Sequence, residues 1–370
     1  MHFRAERDAI LTALSAANRA AGALHGSVPS LRLSLTGNLL KVTGSDYDLV
    51  ITANAAVGGD GNGTASLPAR LTVDIVRSLA PGAVEFTTGD SDDADVHISA
   101  GRADFTVRTI AGAEILPFDK PEDTVVTIPA EAFAEGLRQV VRAALTDDSR
   151  APQLTGVYML PRSGGLRMVA TDSYRLAIRD LDGLDALDEK SDGILIPARA
   201  LSEVQRLVDD AETIAFARGE TTASFVIGDV TVGTRLLSGA FPDYERLIPA
   251  SSPVTFTTDR TELADALKRV RVMLAGTKDA TTPVRLEFND GSLELTVKTA
   301  EAGTATDRVD GKLSGEAPGV VAFNPSYLLD GLDAITGDDV TMSVIDQSKP
   351  AALQGFLDSL LYLLMPVRVN

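Results

Sequence analysis

The chain has 370 residues, a formal net charge of −18, 44% hydrophobic residues, no cysteine and no tryptophan. That length exceeds one ordinary core and suits two to four domains. The missing thiols exclude disulfides, thiolate zinc sites and a cysteine nucleophile. No run approaches the roughly 18 apolar residues of a membrane span. The amphipathic, charged start MHFRAERDAILTALSAANRA does not read as a signal peptide, so a cytoplasmic location and no membrane partner are expected.

Taken in chain order, residues 4–20 form the first predicted helix, with Ile10 and Leu14 on one face after Phe3 on a strand. Period-2 stretches LRLSL (31–35) and DLVITA (48–53) read as strands. The Gly-rich run GGDGNGT (58–64) reads as a hairpin loop and lacks the lysine of a phosphate loop. A second helix spans 69–80, after Pro68, and DFTVRT (104–109) is a further strand. The Pro-containing stretch Ile115–Val126 marks a domain boundary. Helices at 130–145 and 198–208 follow, then the strand ASFVIG (223–228). A second boundary lies at Leu247–Phe256, before a helix at 259–271, the strand LELTVK (293–298) and a last helix at 325–335.

These elements repeat three times. A strand end, a proline, a short helix and a turn recur at LPARLTVDIVRSLAPGAVEF, IPARALSEVQRLVDDAETIAF and FNPSYLLDGLDAITGDDVTM. Pro68, Pro197 and Pro325 are 129 and 128 residues apart, and each is expected in the first turn of its helix. Upstream of each copy stands a strand residue followed by an apolar i, i+4 pair: Phe3 with Ile10 and Leu14, Val126 with Phe133 and Leu137, Phe256 with Leu263 and Leu267. The chain therefore reads as an α+β protein of three similar domains, 1–121, 126–249 and 254–370, each with two helices and many short strands.

The acidity taken alone argues against nucleic acid, because phosphate contacts need Lys and Arg. The charge is unevenly placed. The six predicted helices together carry +2, which leaves −20 for the rest of a chain whose total is −18. A mildly positive helical lining holds a duplex through phosphates alone and carries no sequence information. For catalysis there is little. His2, His25 and His97 have no metal-ligand spacing, no nucleophile elbow or phosphate loop is present, and Asp92–Asp93 and Asp147–Asp148 read as solvated turns. No metal or cofactor is expected.

Three segments carry a specific likeness. VATDSYRLAIRD (Val169–Asp180) resembles the ATDGHRLA-type strand of the bacterial DNA polymerase III beta clamp family, GAFPDYERLIP (Gly239–Pro249) its FPDYRRVLP segment, and YLLMPVRVN (Tyr362–Asn370) its terminal MPVRL. Weaker likenesses in family order run through TGSDYDL, LPARLTVDIVRSL, GRADFTVRT and NPSYLLDGLDAI.

The resemblance implies three repeated DNA-clamp domains with antiparallel sheets. It implies a ring-shaped head-to-tail homodimer and a non-catalytic processivity factor of DNA replication. Its expected partners are double-stranded DNA, the DNA polymerase III alpha subunit, other clamp-binding-motif proteins and a clamp loader. It also implies a partner-peptide pocket built from Leu154, Thr171, Ser173, Tyr174, Arg175, Leu176, Pro242, Arg246, Leu247, Leu363, Met365, Pro366, Val367 and Arg368, with Arg175, Arg246 and Arg368 meeting peptide carboxylates or carbonyls. DNA-facing cations are expected at Arg77, Arg138, Arg142, Arg199, Arg206, Lys268 and Arg269. The dimer seam would join Phe105 and Val107 to Val272 and Met273.

The chain departs from the family at His25, at Pro152 and Gln153, at Ser173, in the short stretch 275–283, and in a last helix bearing Asp330 and Asp333. These departures leave room for a specialised phage or duplicate resistance clamp. The remaining alternative is an acidic β-rich interaction protein unrelated to DNA.

Overall fold

The computed structural model describes residues 1–23, 28–89, 94–110, 118, 125–146, 151–184, 186–188, 192–208, 211–275, 282–356 and 359–368. His25, Asp92–Asp93, Asp147–Asp148, most of the first expected boundary and most of 275–283 lie outside them.

Among the described residues six α-helices form: α1 Arg7–Asn18, α2 Ala69–Ser78, α3 Ala130–Val140, α4 Ala198–Leu207, α5 Arg260–Arg271 and α6 Pro325–Ala334. Five start within one residue of where the sequence places them; α1 starts at Arg7 and not at residue 4, because His2–Glu6 is a strand. Two of the starts have a side-chain cap. The Asp259 side chain accepts the Glu262 N–H at 2.8 Å, so the D-x-x-E spacing closes the first turn of α5. Asn324 does the same for α6 through the N–H groups of Ser326 and Tyr327, with Pro325 at the first helical position. Pro68 and Pro197 differ from expectation: each is the last residue of the preceding strand. At Pro68 the fixed φ of −55° combines with an extended ψ of 118°, which ends a strand as readily as it opens a helix. The apolar pairs Ile10/Leu14, Phe133/Leu137 and Leu263/Leu267 are all fully buried.

The described residues pack into two compact units, Met1–Glu131 with Arg199–Leu236, and Ala132–Ala198 with Leu237–Asn370. All strand pairs are antiparallel. In the first unit an eight-stranded sheet runs 126–129, 213–218, 222–227, 230–235, 49–56, 39–45, 30–36, 62–68. A five-stranded sheet runs 58–60, 2–6, 83–88, 96–100, 103–107. Strand Ser30–Thr36 shows the governing pattern: Leu31, Leu33 and Leu35 point inward and alternate with polar residues. Helix α1 approaches this sheet closely because position 44 is glycine; a Cβ there would sit 2.0 Å from the Ala17 carbonyl oxygen. The Gly-rich run 58–64 is not a hairpin loop. Gly58–Asp60 pairs with His2–Arg4 in one sheet and Asn62–Pro68 pairs with Ser30–Thr36 in the other. Gly61, at φ 84°, supplies the left-handed step between the two sheets.

In the second unit a nine-stranded sheet runs 194–197, 156–162, 165–171, 175–182, 360–364, 351–355, 339–344, 254–259, 312–314. A four-stranded sheet runs 303–310, 292–299, 284–289, 320–323. The joint that matters for function is the pairing of Arg175–Arg179 with Leu360–Leu364, which sets Leu176 opposite Leu363. It joins sequence from the middle third of the chain to the C-terminal strand in one sheet.

Candidate functional site

VATDSYRLAIRD is two strands and a turn rather than one strand. Gly165–Thr171 and Arg175–Asp182 are joined by Asp172, Ser173 and Tyr174, because the polar D-S pair can hold a chain reversal. The Asp172 carboxylate accepts the N–H groups of Tyr174 and Arg175 at 2.9 and 3.0 Å. The Thr171 hydroxyl donates to the Arg175 carbonyl at 2.6 Å and accepts the Ser173 N–H at 3.1 Å. Ser173 takes φ 75°, the left-handed region. The turn thrusts Tyr174 outward, 62% exposed, with its ring stacked on Tyr327 at 6.3 Å between centroids.

Arg175 does the opposite. The sequence places it where it could meet a peptide carboxylate, but its side chain is only 8% exposed and turned into the protein. Its Nε donates to Asp172 at 3.0 Å, one Nη reaches Asp330 of α6 and the Tyr362 hydroxyl, and the guanidinium lies 4.4 Å over the Tyr327 ring. Burial by itself would lower the basicity of Arg175, yet its hydrogen bond to the Tyr362 hydroxyl and the carboxylates of Asp330 and Asp172 outweigh it and hold the group more firmly protonated than usual. Burial pushes the Tyr362 phenol above its ordinary range, so it stays neutral and donates to the Tyr327 carbonyl at 3.0 Å. Helix α6 reaches these groups because position 331 is glycine; a Cβ there would lie 2.7 Å from the Tyr362 ring. Tyr327, Asp330, Tyr362 and Asp172 belong to the site and were not singled out for it by sequence. Only Asp172 carried a local signal, the strand-ending Asx turn.

Of the other expected pocket residues, Leu176, Leu363 and Met365 are tied to this hairpin. Leu176 and Leu363 share one buried cluster with Val169, Ile178, Tyr244 and Ala352, and Phe241 and Ile248 pack on it. The segment carrying Pro242, Arg246 and Leu247 is thereby laid over the sheet face, with all three exposed and Arg246 paired to Asp243 at 2.6 Å. The tail is held by two backbone bonds, Met365 N–H to the Tyr174 carbonyl (2.8 Å) and Val367 N–H to the Ala322 carbonyl (2.7 Å). Leu154 is buried in the short turn Pro152–Leu154. Three apolar side chains of these stretches, Tyr174, Leu247 and Met365, are left exposed; Pro366 and Val367 are half-buried and Arg368 is exposed.

The expected DNA-facing cations all sit on helices or the turn that ends α3, and each has an acidic partner. Arg77 pairs with Asp74 (2.9 Å), Arg206 with Glu203 (2.5 Å), Lys268 with Asp265 (3.1 Å), Arg269 with Asp307 (2.6 Å) and Arg199 with Asp46. Arg138 pairs with Glu135 and also donates to the C-terminal carbonyls of α6 at Asp333 and Ala334. Arg142 reaches Asp330 at 3.7 Å and Asp333 at 3.4 Å. Of the expected seam residues, Val272 is 68% exposed, and Met273 and Phe105 are half-buried. Val107 faces its own core at 3% exposure, so only its backbone edge is open to a partner. His2 lies 2.6 Å from Glu85 and His97 3.2 Å from Thr106. No group of three metal-capable side chains occurs among the described residues.

The known proteins that this chain resembles in sequence and fold include DNA polymerase sliding clamps. Family models of the DNA polymerase III beta subunit match in order: the N-terminal domain at 1–117, the central domain at 127–243 and the C-terminal domain at 245–368. The beta sliding clamp of Streptomyces coelicolor is 30% identical over the whole of both chains. That of Synechocystis sp. is 31% identical over 90% of this chain and 89% of its own. Among solved structures, the Bacillus subtilis sliding clamp superposes over both full lengths with a TM-score of 0.89 at 25% identity. A Pseudomonas aeruginosa clamp bound to griselimycin does so with 0.88 at 25%. The chain belongs to the DNA polymerase III beta subunit family. Its function is that of a polymerase processivity factor in DNA replication, and the reading as a β-rich protein unrelated to DNA falls with that match.

Proposed function

We propose that two copies of this chain close head to tail around duplex DNA, without catalysis of their own, and tether the polymerase III alpha subunit and other clamp-binding proteins through these exposed apolar side chains of the second unit. The observation that carries the reading is that three separated stretches of sequence meet: Tyr244 and Ile248 pack with Leu176 and Leu363, and the Met365 N–H bonds the Tyr174 carbonyl, while Tyr174, Leu247 and Met365 are left exposed. An unbranched Met beside aromatic and aliphatic neighbours adapts to peptides of differing sequence. Two open strand edges support the closure: Ala103–Val107 ends the five-stranded sheet and Gly303–Asp310 ends the four-stranded one. Unpaired edges are a standing template for another chain. Two such contacts related by a two-fold axis close a ring, with Phe105, Val272 and Met273 as apolar flanks. The helix cations other than Arg138, which is tied to the C-terminal carbonyls of α6, form the exchangeable lining; their pairs are surface pairs worth about 1 kcal/mol or less, readily exchanged for phosphate. Division into domains 1–121, 126–249 and 254–370, a clamp loader as partner and a cytoplasmic location complete the proposal. No helix of the described residues is long and apolar enough to cross a membrane.

The test is deletion of residues 366–370. It removes Pro366, Val367 and the Val367 bond to Ala322, so affinity for a clamp-binding peptide of the alpha subunit falls at least tenfold while the sedimentation of the protein is unchanged. Retained affinity rejects the site.

A further inference from the structure

Asp330 stands between two arginines that the reading above assigns to different jobs. Its Oδ2 takes Arg175, the buried cation under the Tyr174–Tyr327 stack, and its Oδ1 lies 3.7 Å from Arg142 of the expected DNA lining. Arg142 is more than half exposed, with Asp333 at 3.4 Å as its other partner. Arg138 holds the helix end itself, through the carbonyls of Asp333 and Ala334, so the helix stays in place when Arg142 moves. Gly331, packed against Tyr362, fixes Asp330 at the height of Arg175.

We propose that Asp330 is a positioning residue that couples DNA inside the clamp to peptide affinity outside it. The proposal rests on the DNA-facing assignment of Arg142. A phosphate that draws Arg142 away leaves the Asp330 carboxylate with Arg175 as its one remaining arginine. The Arg175–Asp330 contact then strengthens, because a carboxylate shared between two cations binds each less tightly than it binds one alone. Arg175 is held more firmly beneath Tyr327, the Tyr174–Tyr327 pair is better ordered, and a peptide ordering that surface loses less freedom on binding. DNA therefore tightens peptide binding, and by linkage peptide tightens DNA binding by the same factor.

The experiment uses the full-length protein and a fluorescein-labelled clamp-binding peptide of the alpha subunit. Peptide affinity is read by anisotropy at low ionic strength, with and without a short linear duplex whose own binding is followed in parallel. The wild type is expected to bind peptide about twofold to fivefold more tightly with duplex present, the range a single exchanged surface pair supplies. Arg142→Ala mimics the DNA-bound state: its peptide affinity without DNA rises toward the wild-type value with DNA, and duplex adds nothing. Asp330→Asn binds peptide more weakly and shows no response to duplex. A merely structural role for Asp330 would weaken binding in Asp330→Asn but leave Arg142→Ala responsive. Duplex binding without a change in peptide affinity overturns the coupling and spares the lining; no duplex binding at all overturns both.

Discussion

Replacing Arg175 with methionine keeps most of the side-chain volume and removes the charge. The guanidinium and the Asp172 carboxylate are 8% and 6% exposed, so each is a buried ion paired with the other, and Arg175 also reaches Asp330. Removing one member of such a pair costs about 3–5 kcal/mol, mainly through the charge left behind. Asp172 keeps two backbone N–H donors and Asp330 is 30% exposed, which places the loss near the lower end, about 3 kcal/mol. The lost contact over Tyr327 adds about 0.5–1 kcal/mol. A unit of this size shifts by about 2–4 °C per kcal/mol. Scanning calorimetry of Arg175→Met should therefore show the second unit melting about 7–16 °C lower. The double variant with Asp330→Asn should lose less than the sum of the single losses, because both act on one pair. A melting point within about 2 °C of the wild type would refute the account of Arg175 as the inward anchor of the hairpin.

Two further outcomes are expected. Met273→Asp puts a charge against the start of the open strand Gly303–Asp310, where the Met273 methyl lies 3.8 Å from the Cβ position of Gly303, and should give monomers by analytical ultracentrifugation at concentrations where the wild type is dimeric; an unchanged dimer contradicts the seam. Arg77→Ala with Arg206→Ala removes two exposed helix cations, so the logarithmic salt dependence of duplex binding should flatten by about one to two units. An unchanged slope removes these helices from the lining.

The sequence reveals most of the fold because its signals are local. The i, i+4 pairs Ile10/Leu14, Phe133/Leu137 and Leu263/Leu267 recur in register and are all buried, and the Asp259 and Asn324 caps lie within three residues of what they cap. The site is less legible because its decisive contacts are distant. Arg175 and Asp330 are separated by 155 residues, and nothing near Arg175 announces that its partner lies on α6. The same holds for Arg138, whose turn toward the C-terminal carbonyls of α6 spans 195 residues. The Gly-rich run 58–64 misleads for a different reason. A left-handed glycine between polar residues looks alike whether the chain returns to the same sheet or crosses to another, and only the partners of the flanking strands decide. Family likeness supplied the expected pocket residues; the inward direction of Arg175 and the pairing of the helix cations came from the packed structure.

Encirclement is tested most directly by retention on DNA. Protein placed by its loader on a closed circular duplex should stay bound through a gel-filtration column at moderate salt, and should be lost once a single cut makes the circle linear. Equal retention on circular and linear DNA, or equal loss from both, would contradict a clamp that holds by enclosure.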